Sequence, residues 1–139
     1  LSCSVSSGEV YYTGHDLTET VSSLFEVENT SDSDFFTYEV EADIGNLTFT
    51  FVHEPSPGLY TVGDEIYNTY GHSLPMARVG CWFDNGGSNC YYAANTNERL
   101  YVTKDIDGNI SISFCDLKMT KSDTGSCLDT QEISGRLVN

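Results

Sequence analysis

Hydrophobic and polar residues alternate with a period of two through much of this chain. That is the spacing at which a β-strand turns one face to a core. The clearest run is 110–115, where Ile110, Ile112 and Phe114 alternate with Ser111, Ser113 and Cys115. Ahead of it, Leu100 and Val102 alternate with Tyr101 and Thr103. Asp107-Gly108-Asn109 separates the two runs and supplies residues that tolerate positive φ, so a hairpin is predicted here. A second hairpin is predicted over 35–51. Phe36, Tyr38, Val40 and Ala42 share one face, and Thr37, Glu39 and Glu41 the other. After a turn at 43–46, Leu47, Phe49 and Phe51 face inward while Thr48 and Thr50 face out. One solvated face is common in antiparallel sheets.

Further strands are expected at 9–13, 20–28, 59–62, 64–70, 77–83, 91–94 and 132–138. At 20–28, β-branched Val21 and Val27 and the lack of a helical period favour strand. About nine or ten short strands separated by turn signals predict an all-β fold with very little helix. The expected architecture is a two-sheet antiparallel β-sandwich, immunoglobulin-like or jelly-roll-like, with a closed barrel as the second choice. Residues 1–8 read as a polar tether and 9–139 as one domain, with no internal repeat or linker. A chain of 139 residues is long enough for a single real core.

Five cysteines point to an oxidising compartment. Cys81 and Cys90 flank Asp84-Asn85-Gly86-Gly87, whose centre reads as a turn, so these two are expected to bond across a hairpin. Cys115 and Cys127 flank a second turn-like segment and form the other expected pair. Zinc is disfavoured, because there is no CxxC and no His stands beside a Cys. Cys3 is then left over. Leu1-Ser2-Cys3 followed by small polar residues looks like the end of a bacterial lipoprotein signal, which makes Cys3 a candidate for lipidation. The alternatives are a bond to another chain or a free thiol.

The charge narrows the partners. Six Lys and Arg face 21 Asp and Glu, a formal net charge of −15. Nucleic acid binding needs cations against phosphate and is excluded on this balance. Anionic membrane surfaces would be repelled as well. No apolar run approaches the ~18 residues of a membrane-spanning helix, which leaves a lipid anchor as the expected route to a membrane.

Candidate chemistry is sparse. His15, His53 and His72 are scattered, and no HxH, HExxH or GxSxG occurs. No catalytic residue is assigned and the chain is expected not to be an enzyme. Asp105-Ile106-Asp107-Gly108-Asn109 resembles the start of a calcium loop, and Asp105, Asp107 and Asn109 are its candidate ligands. The glutamate that would complete a helix-loop-helix site is replaced by Asp116, so calcium is the only cofactor considered and none is required. Sequons at Asn29, Asn46 and Asn109 are expected at loops or turns, where glycans are tolerated. Adjacent aromatics at Tyr11-Tyr12 and Tyr91-Tyr92 put one ring of each pair outward. With Trp82, Tyr91 and Tyr92 become the candidate carbohydrate-binding residues.

Gly58-Leu59-Tyr60, Gly108-Asn109-Ile110-Ser111-Ile112 and Ile133-Ser134-Gly135-Arg136-Leu137 resemble recurring motifs of small surface lipoproteins of Bacteroidota. The resemblance covers the final two-thirds of the chain. It implies a β-sandwich, a surface or periplasm-facing location, and a binding or structural role without catalytic residues. The expected function is therefore a non-catalytic extracellular or cell-surface protein, a structural or docking subunit of a surface assembly. Its partners would be other proteins or further copies of itself. A carbohydrate-binding module is the alternative.

Overall fold

The computed structural model describes residues 3–13, 16–27, 35–42, 45–63, 75–85, 88–95, 97–121 and 128–139. Among them are eleven strands and no helix. In chain order they are β1 (Glu9–Tyr12), β2 (Leu17–Thr20), β3 (Phe25–Val27), β4 (Phe36–Glu41), β5 (Gly45–Phe51), β6 (Gly58–Val62), β7 (Met76–Asn85), β8 (Ser88–Ala94), β9 (Arg99–Lys104), β10 (Ile110–Lys121) and β11 (Thr130–Leu137). The expected all-β character holds. Both hairpins predicted from alternation form, with Ile110 paired to Lys104 and Glu41 to Asn46.

The sheets do not stay apart, as a simple two-sheet sandwich would require. β6 pairs with β9 antiparallel and with β7 parallel, while β8 pairs with both β7 and β10. These ladders, with β9–β10, close a five-stranded barrel. Outside it, β11, β1 and β2 extend from β10, and β5, β4 and β3 extend from β7. The closure belongs to the second architecture. It arises because β7 and β10 are long enough for one edge to hold two neighbours in succession, β6 then β8 on β7 and β9 then β8 on β10.

The core lies inside this wrapped ladder. Phe49 of β5 packs on Phe114 of β10, ring centroids 5.9 Å apart. Tyr12 of β1 meets Phe83 of β7 edge-on at 5.7 Å. Neither strand pair shares a ladder, so these contacts cross the interior. Val40, Leu47, Leu100, Val102, Ile110 and Ile112 are buried as the alternation predicts. The Tyr60 hydroxyl clamps the turn before β6, accepting from the Ser56 N–H at 3.0 Å and donating to the Ser56 carbonyl at 3.3 Å.

Two elements depart from the sequence reading. Residues 20–28 were expected as one strand, but β2 stops at Thr20 and β3 starts at Phe25. Between them the chain passes from one end of the ladder to the other. Val21 N–H bonds to Gly8 beside β1, Ser22 N–H to Glu41 of β4, and Leu24 N–H to Val138 beyond β11. The expected strand at 64–70 lies outside the described residues. β10 also carries a bulge: the register with β11 shifts between Phe114 and Leu117. Asp116 takes a φ of 51° there, and its N–H donates to Ser134 Oγ at 2.9 Å. The extra residue moves the buried positions from Ile112 and Phe114 to Leu117 and Met119.

The cysteines pair differently from the expectation. Cys3 is bonded to Cys115, their Cα atoms 5.8 Å apart, within the usual span for a disulfide. Cys81 is a free, buried thiol. Cys90 is disulfide-bonded; Cys127 lies outside the described residues. Register explains why Cys81 and Cys90 do not meet. The β7–β8 ladder runs to the pair Asn85 and Ser88, which sets Cys81 opposite Tyr92 and Cys90 opposite Phe83. Such diagonal neighbours are about 7–8 Å apart, and a disulfide needs Cβ atoms about 3.8 Å apart. Cys115 is engaged from the other side. Gly8 N–H bonds to Arg136 of β11, which holds the 3–8 segment where Cys3 reaches the bulge. In that bond the Cys3 sulfur carries no thiol for a lipid, so the expected lipidation does not fit this structure.

Candidate functional site

Strands β5, β7 and β8 turn their even or odd positions inward together and leave one outer face. Inward go Leu47, Phe49 and Phe51, then Ala77, Val79, Cys81 and Phe83, then Cys90, Tyr92 and Ala94, all buried. The residues between them line up in rows across the outer face. One row is Asn46, Trp82 and Tyr91; the next is Thr48, Gly80 and Ala93; the third pairs Thr50 with Arg78.

Trp82 and Tyr91 are direct cross-strand partners with ring centroids 5.2 Å apart and planes inclined at 58°. Trp82 is 51% exposed, unusual for a residue with so much apolar surface to hide. Tyr91 reaches across Gly80, where an added Cβ would collide with its hydroxyl. A larger residue at 80 would push the Tyr91 ring out of this position. Together Thr48, Thr50, Arg78, Gly80, Trp82, Tyr91 and Ala93 line a shallow groove of about 550 Å³.

Polar groups edge the groove. The Arg78 guanidinium stands 6.0 Å from the centre of the Phe35 ring, a cation–π arrangement. On β4, Glu39 lies across Thr48 and Glu41 across Asn46. Burial, reinforced by Glu41, raises the Glu39 carboxyl above the usual carboxylate range, while the Asn46 amide donates to it and offsets part of that rise.

Of the three predicted carbohydrate-binding residues, the fold brings Trp82 and Tyr91 together and removes Tyr92. Tyr92 is fully buried and donates to the Leu128 carbonyl at 2.7 Å, because it shares the inward parity of Cys90. Sequence reading missed Arg78 and Gly80. Their signal was available, since they share the parity of Trp82 on β7.

The other candidates stand alone. Asp105 uses one carboxylate oxygen to accept from the N–H groups of Asp107 and Asn109, each at 2.9 Å. It caps its own turn, and Asp107 and Asn109 point to solvent as exposed loop residues. No group of three or more His, Cys, Asp or Glu able to hold a metal ion occurs among the described residues. His53 is exposed at the end of β5; His15 and His72 lie outside the described residues. So does the Asn29 sequon. Asn109 is exposed in its hairpin loop, as expected, but Asn46 lies within β5 beside Trp82 and not in a turn.

Comparison with protein-family models, with curated proteins and with solved structures finds no match for this chain. No helix among the described residues is long and apolar enough to cross a membrane.

Proposed function

We propose that this chain is a non-catalytic extracellular or cell-surface binding module that holds carbohydrate on the outer face of β5, β7 and β8. The observation that carries this reading is the Trp82–Tyr91 ring pair on the outer face, with Trp82 half exposed and Tyr91 lying over Gly80. Aromatic rings offer apolar area at low entropic cost. The Thr48 hydroxyl and the Asn46 amide supply the few polar groups that orient a sugar. Cysteine bonding supports an oxidising location. The outer surface of β5, β7 and β8 is the platform. Calcium has no part in the reading.

A glycan array followed by calorimetry on the hits tests it. Trp82→Ala should abolish binding while the circular dichroism and melting temperature stay near wild type, because the ring is exposed. No hits, or a variant that binds as well as wild type, would end the proposal.

A second reading, the structural or docking subunit of a surface assembly, draws on β2 and β3. These strands end the ladder and carry exposed Leu17 and Phe25. An open edge with apolar side chains is suited to strand addition by a partner or a second copy. Sedimentation of the protein across a concentration series tests self-association. A surface lipoprotein of the Bacteroidota kind would suit either role, with its anchor supplied by something other than Cys3.

A further inference from the structure

We infer that the glycan held on this face is acidic, an oligomer with one sugar ring on Trp82 and the carboxylate of a uronic acid further along the chain met by Arg78. The inference rests on the carbohydrate reading above and adds the chemical class of the sugar.

Three observations carry it. First, Arg78 lies on the same outer face and the same strand as Trp82, with only Gly80 between them on that face. Four residues of strand span about 13 Å, a distance that a short oligosaccharide bridges and a single sugar does not. Gly80 itself has no side chain, and the Tyr91 ring lies over it, so an oligosaccharide running from Trp82 toward Arg78 passes along that ring. Second, Arg78 has no acid partner among the described residues. The chain has six Lys and Arg against 21 Asp and Glu. Among the described residues the ion pairs are Lys104 with Glu54 and Lys121 with Asp129; Arg78 instead stands by the Phe35 ring. Stacking on an aromatic face leaves the edge of a guanidinium, with its N–H fork, free for a planar carboxylate. Third, no carboxylate stands between Trp82 and Arg78 on β7; Asp84 shares their parity but follows Trp82, on the side away from Arg78. Glu39 and Glu41 are on β4, two strand spacings or about 9.6 Å from the β7 line. A chain lying along β7 meets the cation and passes beside the acids. The formal charge of −15 repels anions from the surface as a whole, so an acidic ligand needs a cation such as Arg78 at its site.

Calorimetry at fixed ionic strength tests this with short oligomers of galacturonate, glucuronate and mannuronate. Each is paired with its carboxyl-reduced, neutral counterpart. Wild type should bind at least one acidic oligomer about tenfold or more tightly than its neutral partner, the loss expected for one charge-assisted contact. Arg78→Gln should remove that preference. Trp82→Ala should abolish both. The ligand-side comparison needs no variant, so it stands even where Arg78→Gln unfolds. Equal binding of acidic and neutral oligomers overturns the uronate inference and leaves the carbohydrate reading intact. A preference that survives Arg78→Gln overturns the role of Arg78. Binding of no oligomer, acidic or neutral, with hits for other sugars on the array, overturns the inference alone; no binding anywhere overturns both.

Discussion

Cys81 lies directly opposite Tyr92 in the β7–β8 ladder, and both side chains are buried. The thiol is therefore packed among core residues, two positions out of register with the cysteine it was expected to join. Burial, with Glu19 adding to it, pushes the Cys81 pKa up to about 12. Thiolate is the reactive form. Iodoacetamide should leave Cys81 unmodified in the native protein and label it once the chain is denatured without reductant. Peptide mass mapping reads the result, and rapid labelling of native Cys81 would contradict the packing.

The same thiol should shape stability at high pH. Folded Cys81 keeps its proton up to about 12, whereas its ordinary value is 9.0. Tyr12 is likewise held above the usual phenol range, by burial first and then by Cys81 and Glu19. Above about pH 9 the unfolded chain binds fewer protons than the folded one, so stability falls as pH rises. The Cys81 contribution is fully present below that point and is lost up to about pH 12. Urea titrations across this range should show Cys81→Ala with a shallower decline, by up to about 1.4 kcal/mol per pH unit. Parallel pH profiles for the two proteins would remove the assignment.

The bulge in β10 depends on backbone geometry at Asp116. A φ of 51° suits Asp, Asn or Gly and penalises a β-branched side chain. Asp116→Val should cost about 1–2 kcal/mol, while Asp116→Gly should stay within about 0.5 kcal/mol of wild type. Ser134→Ala removes the acceptor for the Asp116 N–H and should cost about 1 kcal/mol. Chemical denaturation measures all three. A harmless valine would mean that the bulge is not needed.

The Cys3–Cys115 bond closes a loop across 112 positions. In the chain-entropy estimate a loop of that length restrains the unfolded state by about 4–5 kcal/mol. That is large beside a typical net stability of about 5–15 kcal/mol. Cys3→Ser or Cys115→Ser should lower the melting temperature markedly and should cost the same within error. Non-reducing peptide maps of the wild type should contain the 3–115 fragment. Two single variants with clearly different stabilities would show that one cysteine does something besides bonding the other.

How much of this was readable in advance depended on whether a feature is local. Parity along one strand is local, so Ile110, Ile112, Phe114, Leu47 and Phe49 were placed inward correctly. So was the outward turn of one ring in each aromatic pair. Choosing between Tyr91 and Tyr92 needed the parity of Cys90, which only the fold supplies. The bulge needed Ser134, distant in sequence, and the cysteine pairing needed a hairpin register that differs by two from the one centred on Asn85 and Gly86. The break within 20–28 comes from bonds to Gly8, Glu41 and Val138, none of them nearby in the chain. Arg78 was overlooked because a lone arginine carries no motif; its meaning comes from sharing a strand face with Trp82.

The bond from Cys3 to Cys115 also makes most of the polypeptide a covalent ring. The exposed hairpin loop at 105–109 and the segment before Gly58 both lie inside it. A protease that cuts once at either place opens the ring without releasing a fragment. The severed ends stay tied through sulfur, and the strands on both sides remain close enough to re-form their ladders. Damage of that kind would go unnoticed by size in the oxidised protein and would appear only when the sulfur bridge is reduced.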